Sequence, residues 1–186
     1  MTDAANQLNA GVSVVETFTV QTTDGSTSTV SVRIDGTNDI ATLTDDSETI
    51  TESDVAQTVT GQLTLSDADA DAATVVADTI SGTYGSFSVD TDGAWTYVMA
   101  DAADGLNAGV SVVESFTVET TDGSTSTVSV TVNGTNDVPT IGGSDSGSVR
   151  EDVGPGLTGT LTISDADLNQ SVFIPQTPVS TSYGTF

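Results

Sequence analysis

The sequence has no cysteine and no histidine, and Arg33 and Arg150 are its entire basic complement. Missing thiols exclude thiol chemistry, and with imidazole also missing, zinc sites built on Cys or His are excluded. No His, Cys or Lys is available as a base or nucleophile, and two unrepeated arginines offer little to an oxyanion. The chain is therefore read as not an enzyme. Against those two cations stand 27 acidic side chains, a formal net charge of −25. Nucleic acid and anionic lipid both need a positive surface, so neither is an expected partner. Such an excess repels itself in a compact state unless something neutralises it. Hydrophobic residues make up 35% of the chain, and no apolar run approaches the ~18 residues of a spanning helix, so membrane insertion is not expected. The residues after Met1 form neither a basic n-region nor an apolar h-region.

What the chain does have is repetition. Gly36-Thr37-Asn38-Asp39-Ile40 returns as Gly134-Thr135-Asn136-Asp137-Val138, and an Asp-Ala-Asp follows each copy. Asp39 and Asp137 are 98 positions apart, and so are Asp67 and Asp165. The chain is thus an array with a period of about 98 residues, and the Asn-Asp pair is the joint between units. Residues 1–39 read as the C-terminal half of one repeat, 40–138 as a complete repeat, and 139–186 as the N-terminal half of the next. Met1-Thr2-Asp3-Ala4-Ala5 matches Met99-Ala100-Asp101-Ala102-Ala103, and Tyr183-Gly184-Thr185-Phe186 matches Tyr84-Gly85-Ser86-Phe87. Both ends then fall inside a repeat, and the expectation is a piece of a longer array. The opening half has no counterpart of residues 87–98, so joining the two ends would not complete a domain, and frayed ends with exposed strand edges are expected.

Within a unit, the pattern is period 2. Phe18 and Val20 alternate with polar residues, as do Val30, Val32 and Ile34, with an Asp24-Gly25 turn between them; the pair reads as a hairpin. In the complete unit, strands are expected around Ile50, Leu63/Leu65, Val75/Val76, Phe87/Val89, Trp95/Tyr97, Phe116/Val118 and Val128/Val130/Val132. Asp92-Gly93 closes a second hairpin. Short strands separated by turn signals are the pattern of a β-sandwich. Nothing offers a crossover helix, so a parallel sheet is not expected. The fold class is all-β.

Gly-Thr-Leu-Thr-Ile-Ser-Asp-Ala-Asp at 159–167, the run from Tyr84 to Tyr97, Ser-Phe-Thr-Val-Glu-Thr-Thr-Asp-Gly at 115–123 and the closing Gly-Thr-Asn-Asp at 134–137 stand in order. Together they resemble the VCBS repeat, over essentially the whole chain. The resemblance implies tandem cadherin-like or Ig-like β-sandwiches in a large bacterial RTX-type adhesin. It also implies export by type I secretion to the cell surface or beyond, with roles in adhesion and biofilm formation. Glycine-rich nonapeptide calcium repeats are not in the sequence, and neither is a ligand-binding head. The implied partners are neighbouring repeats of the same chain, and a host or biofilm surface met through a distal domain.

Calcium takes 6–8 oxygens from carboxylates, amides and backbone carbonyls. If Asp67 and Asp69 lie on an extended segment, alternate residues point two carboxylates at one place, and Asp165 and Asp167 do likewise. The layout also resembles a cadherin repeat, in which an early Glu, an acidic cluster after the central hairpin, the Asn-Asp linker and the next domain's Asp-x-Asp share Ca2+. Carried over residue by residue, the second joint comprises Glu52, Asp101 with Asp104 beside it, Asn136, Asp137, Asp165 and Asp167. The first comprises Asp3, Asn38, Asp39, Asp67 and Asp69. The cadherin linker has a further acidic residue ahead of Asn-Asp, where this chain has Gly-Thr; a second, adjacent ion is thereby left short of a ligand.

Other readings stand beside this one. Asp45 and Asp90 are ordinary solubilising or turn residues, the Asp-Gly turn suffices for Asp24 and Asp122, and Glu48 and Asp54 compete with Glu52. Trp95 and Tyr97 alternate on a strand and read as core. The leading expectation is mechanical: calcium at each joint stiffens a string of spacer domains that supports adhesion. The alternative is a module contacting carbohydrate or another surface through Thr22, Thr23, Thr27, Thr29, Thr120, Thr121, Thr125 and Thr127, although Thr is simply a good strand residue for a wet face.

Overall fold

A computed structural model describes residues 3–69, 73–154 and 156–186, with the backbone alone for Asp3. It is an all-β chain. After a single helical turn at Asp3–Asn6, β1 (Ser13–Gln21) and β2 (Thr27–Asp35) form the expected hairpin, with Phe18 opposite Val30. Gly25 sits at φ +93°, the left-handed backbone that the Asp-Gly turn requires of its glycine.

A sandwich follows. Its strands are β3 (Thr42–Leu43), β4 (Asp46–Thr51), β5 (Thr58–Gln62), β6 (Leu65–Ser66), β7 (Asp78–Ser81), β8 (Gly85–Val89), β9 (Ala94–Met99), β10 (Ser111–Glu119) and β11 (Thr125–Asn133). One sheet has the order β10-β11-β4, the other β5-β9-β8-β7, and β3 pairs with β6. A short 3-10 helix at Asp101–Gly105 links β9 to β10. The inward positions of both sheets meet in one core of Leu63, Phe87, Trp95, Tyr97, Phe116, Val128 and Val130 with their neighbours. Phe87 and Phe116 stack across it, centroids 4.8 Å apart and planes within 7°. Trp95 and Tyr97 are core residues, 1% and 0% exposed.

Two expectations need correction. Val75/Val76 forms no strand, only an isolated bridge from Val75 to Thr120. The sandwich also contains a parallel pair, β4 with β11. Parallel strands need a long connection. Here the entire second sheet, not a helix, supplies it. Two polar locks join the layers. Trp95 Nε1 donates to Asp46 Oδ2 at 2.9 Å, and Glu114 accepts from the Tyr97 hydroxyl at 2.6 Å and from the Thr83 and Tyr84 amides.

The last segment carries β12 (Thr140–Gly143) paired with β13 (Leu161–Ser164), and β14 (Ser180–Thr181) paired with β15 (Gly184–Thr185). Neither it nor the first hairpin has a second sheet over it among the described residues. Phe116 is 4% exposed, whereas Phe18, in a nearly identical strand, is 52% exposed.

Candidate functional site

The two Asn-Asp joints are built alike. The Asp39 amide donates to Asp69 Oδ2 at 2.9 Å, and the Asp137 amide to Asp167 Oδ2 at the same distance. Asp67 Oδ1 accepts from the Asp69 amide, and Asp165 Oδ1 from the Asp167 amide, at 3.0 and 3.1 Å. Asp-Ala-Asp is therefore a bend closed by its own first carboxylate, not the extended segment the sequence reading assumed. The i to i+2 bond from an Asp side chain is the local alternative to a strand ladder, and it wins here. Asn38 and Asn136 donate their amide nitrogens to the carbonyls of Asp39 and Asp137, at 2.8 and 2.6 Å.

At the second joint these groups meet the end of the sandwich. Glu52, immediately after β4, is 1% exposed; its Oε1 accepts from the Thr135 amide and hydroxyl. The loop after Asp167 touches the 3-10 helix region: the Leu168 amide lies 3.4 Å from the Gly105 carbonyl, and Asn107 donates to the Leu168 carbonyl at 3.1 Å. Among the described residues, three buried carboxylate oxygens, Glu52 Oε2, Asp137 Oδ2 and Asp167 Oδ1, have no hydrogen-bond partner, and Asp69 Oδ1 repeats the pattern at the first joint. Buried anionic oxygens without donors are costly. Burial first, then a hydrogen bond with Asp54 and the charges of Glu52, Asp54 and Asp167, pushes the Asp137 carboxyl up to about 6. Burial, followed by the charges of Asp101, Glu52 and Asp54, raises Asp104 as well.

Of the candidate ligands, Glu52, Asp137 and Asp167 are each buried, Asp165 is half-buried and Asn136 is exposed. Asp101 is exposed, and Asp104 is the half-buried acid of the 3-10 helix. At the first joint Asp69 is buried, Asp39 and Asp67 are half-buried and Asn38 is exposed, while the Asp3 side chain lies outside the described residues. Asp54 acts on Asp137 although sequence reasoning treated it as a rival to Glu52. Its spacing, two residues past Glu52 at a strand end, was the available signal. Among the described residues no three Asp, Glu, His or Cys side chains are gathered at metal-ligand spacing. The donor set is nonetheless all oxygen and mostly anionic, the chemistry a hard divalent cation takes.

The Gly-Thr ahead of each Asn-Asp has a steric cause. A Cβ on Gly134 would overlap the Leu106 carbonyl oxygen, and one on Gly36 the Leu8 and Asn9 carbonyls. No acidic side chain fits there. Asp122 also does more than close a turn. Its Oδ1 accepts from Ser124, and its Oδ2 accepts from the Ala41 amide at 2.5 Å, fastening the β10–β11 hairpin to the chain just past the first joint. The Thr120 hydroxyl, then the Ala41 amide, lowers its carboxyl to about 2.

A family model described as a bacterial cadherin-like domain matches residues 38–134, just over half of the chain. A search of curated proteins finds no match. No helix among the described residues is long and apolar enough to cross a membrane.

Proposed function

Because the chain belongs to the bacterial cadherin-like domain family, we propose that it is a run of extracellular spacer repeats of a large bacterial surface adhesin, stiffened by calcium at its joints. One observation carries the reading: Glu52 Oε2, Asp137 Oδ2 and Asp167 Oδ1 are buried and unpartnered where the sandwich meets the next segment. These three residues, with Asp54, Asp104 and Asn136 around them, are the ligands we assign to the second joint; Asn38, Asp39, Asp67 and Asp69 are assigned to the first. Bound calcium supplies positive charge and a preference for 6–8 oxygens. The chain's own groups do the rest. The amides of Asp137 and Asp167 hold Asp167 and Asp165 in place, and Thr135 fixes Glu52. Without a cation the carboxylates repel one another and the contact at Leu168 loosens; with one, neighbouring units lock in line. Binding only to the ordered joint also stabilises it by mass action. The role is mechanical, and adhesion and biofilm formation follow from what the stiffened array holds away from the cell.

The test is calorimetric titration of calcium into the whole chain and into Asp167→Asn, with small-angle scattering on both. The substitution keeps side-chain shape and removes the charge. Wild type should bind calcium and lengthen, and the variant should bind more weakly while Trp95 fluorescence reports an intact sandwich. An unchanged titration in the variant refutes the assignment.

A further inference from the structure

The first joint is tied down at a second place, away from its own Asp-Ala-Asp bend. Alternate amides of the linker each meet a carboxylate: Asp39 donates to Asp69 Oδ2 at 2.9 Å, and Ala41 to Asp122 Oδ2 at 2.5 Å. Ile40 between them is 72% exposed, whereas Ala41 is 2% exposed. The two acceptors come from distant parts of the chain, yet they belong to one hydrogen-bonded frame. Asp67, which closes the bend carrying Asp69, also accepts from the Ala73 amide at 2.8 Å. The next residue, Thr74, takes a bond from the Thr121 amide at 2.9 Å and gives one to the Thr121 hydroxyl at 3.0 Å. Val75 bridges to Thr120. Within the β10–β11 turn, the Thr120 hydroxyl and the Ser124 amide occupy Asp122 Oδ1, which leaves Oδ2 for the linker. The fastening continues past Ala41: Ser126 Oγ donates to the Thr44 carbonyl at 2.6 Å, and the Thr127 amide to Asp45 Oδ1 at 2.8 Å.

We infer that Asp122 is a positioning residue of the first joint, a clamp that holds the incoming linker in the frame of the sandwich without an ion. That this linker is a joint between spacer units rests on the reading above; the clamp itself is a charge-assisted hydrogen bond to a backbone amide and needs no calcium.

The second joint has no donor for such a bond. The 98-residue period puts Pro139 where the first joint has Ala41, and proline carries no amide hydrogen. Pro139 is exposed where Ala41 is buried. The second linker is left with the Asp137–Asp167 bond and the contact at Leu168. The residue at this one position therefore decides whether a linker can be clamped from the hairpin turn. Two joints of the same array then differ in how much of their order waits for a cation.

Amide hydrogen exchange read by NMR on the full chain, in excess chelator, provides the test. In wild type the Asp39 and Ala41 amides should both be protected without calcium. Asp122→Ala should speed exchange at both by about tenfold or more, the scale of a lost hydrogen bond to a charged group. Val128 and Val130, 0% exposed in the core, should keep their protection. Ala41→Pro, which copies the second joint, should speed Asp39 by a similar factor with the turn untouched, because the linker can then swing off Asp69. Adding Asp122→Ala to Ala41→Pro should change Asp39 no further, since both substitutions remove one bond. A further loss in the double variant would mean that Asp122 acts only by closing its own turn, and overturns the proposal. An Asp39 amide that neither single variant moves overturns it, and so does one that is protected only after calcium is added. Every comparison among the variants is made without the ion, so the result does not depend on whether calcium binds.

Discussion

The chain contains its own control experiment on burial. Phe116 and Phe18 occupy the same place in nearly identical strands, SVVESFTVE and SVVETFTVQ. Phe116 is 4% exposed, stacked on Phe87 at 4.8 Å and tilted against Tyr97 at 5.9 Å. Phe116→Ala opens a cavity between two sheets whose aromatic rings are held by Asp46 and Glu114 and cannot move in to fill it. The expected loss is about 3–5 kcal/mol, a large fraction of the ~5–15 kcal/mol that holds an ordinary domain together. Phe18→Ala removes a ring that is 52% exposed and should fall within about 0.5 kcal/mol, as surface substitutions do. Urea unfolding followed by Trp95 fluorescence reads both, because Trp95 is the only tryptophan and is 1% exposed. The Phe116→Ala midpoint should fall sharply with its slope unchanged, and Phe18→Ala should overlay wild type. Equal losses in the two variants would refute the argument that the second sheet, not the strand sequence, decides burial.

Glu114→Gln should destabilise the sandwich by about 1.5–3 kcal/mol, the scale of hydrogen bonds to a charged group, since the Tyr97 hydroxyl and two backbone amides share that carboxylate; Glu16, its counterpart on the open hairpin, should tolerate the same change in the same urea assay. The pH response of the second joint has a definite sign. Asp137 titrates near 6 in the folded chain, above the ordinary carboxyl value, so the cation-free joint is favoured at low pH and loses that contribution as pH rises through about 6. Calcium requires the deprotonated carboxylate, so its affinity should rise across the same interval; calorimetry on either side of pH 6 that shows no change would count against Asp137 as a ligand.

Much of this fold was legible before any coordinate. Alternation along Val128, Val130 and Val132 fixed which side of β11 faces inward, because side chains repeat with period 2 on a strand. The Asp-Gly dipeptides placed the hairpins, because the turn needs a left-handed glycine. The 98-residue repeat singled out the two Asn-Asp segments, and their hydrogen bonds match in the structure. Short strands were harder: β3, β5 and β7 carry little alternation of their own, and cross-strand partners make them strands.

At the joint, the repeat pattern drew attention to Asp137 and Asp167 and the cadherin resemblance to Glu52, but neither tells which oxygen each spends on a backbone amide. That depends on the approach of chain segments 30 and 83 residues apart, and no local pattern encodes it. The role of Asp122 at Ala41 was hidden for the same reason. The sequence by itself determined strand faces, turns and the period, all of which follow from interactions between residues close in the chain. Only the tertiary structure decided which of two nearly identical hairpins is buried, which Asp oxygens remain free, and that β4 runs parallel to β11. Those outcomes are set by what packs against each element, and a strand's own residues do not specify its neighbour.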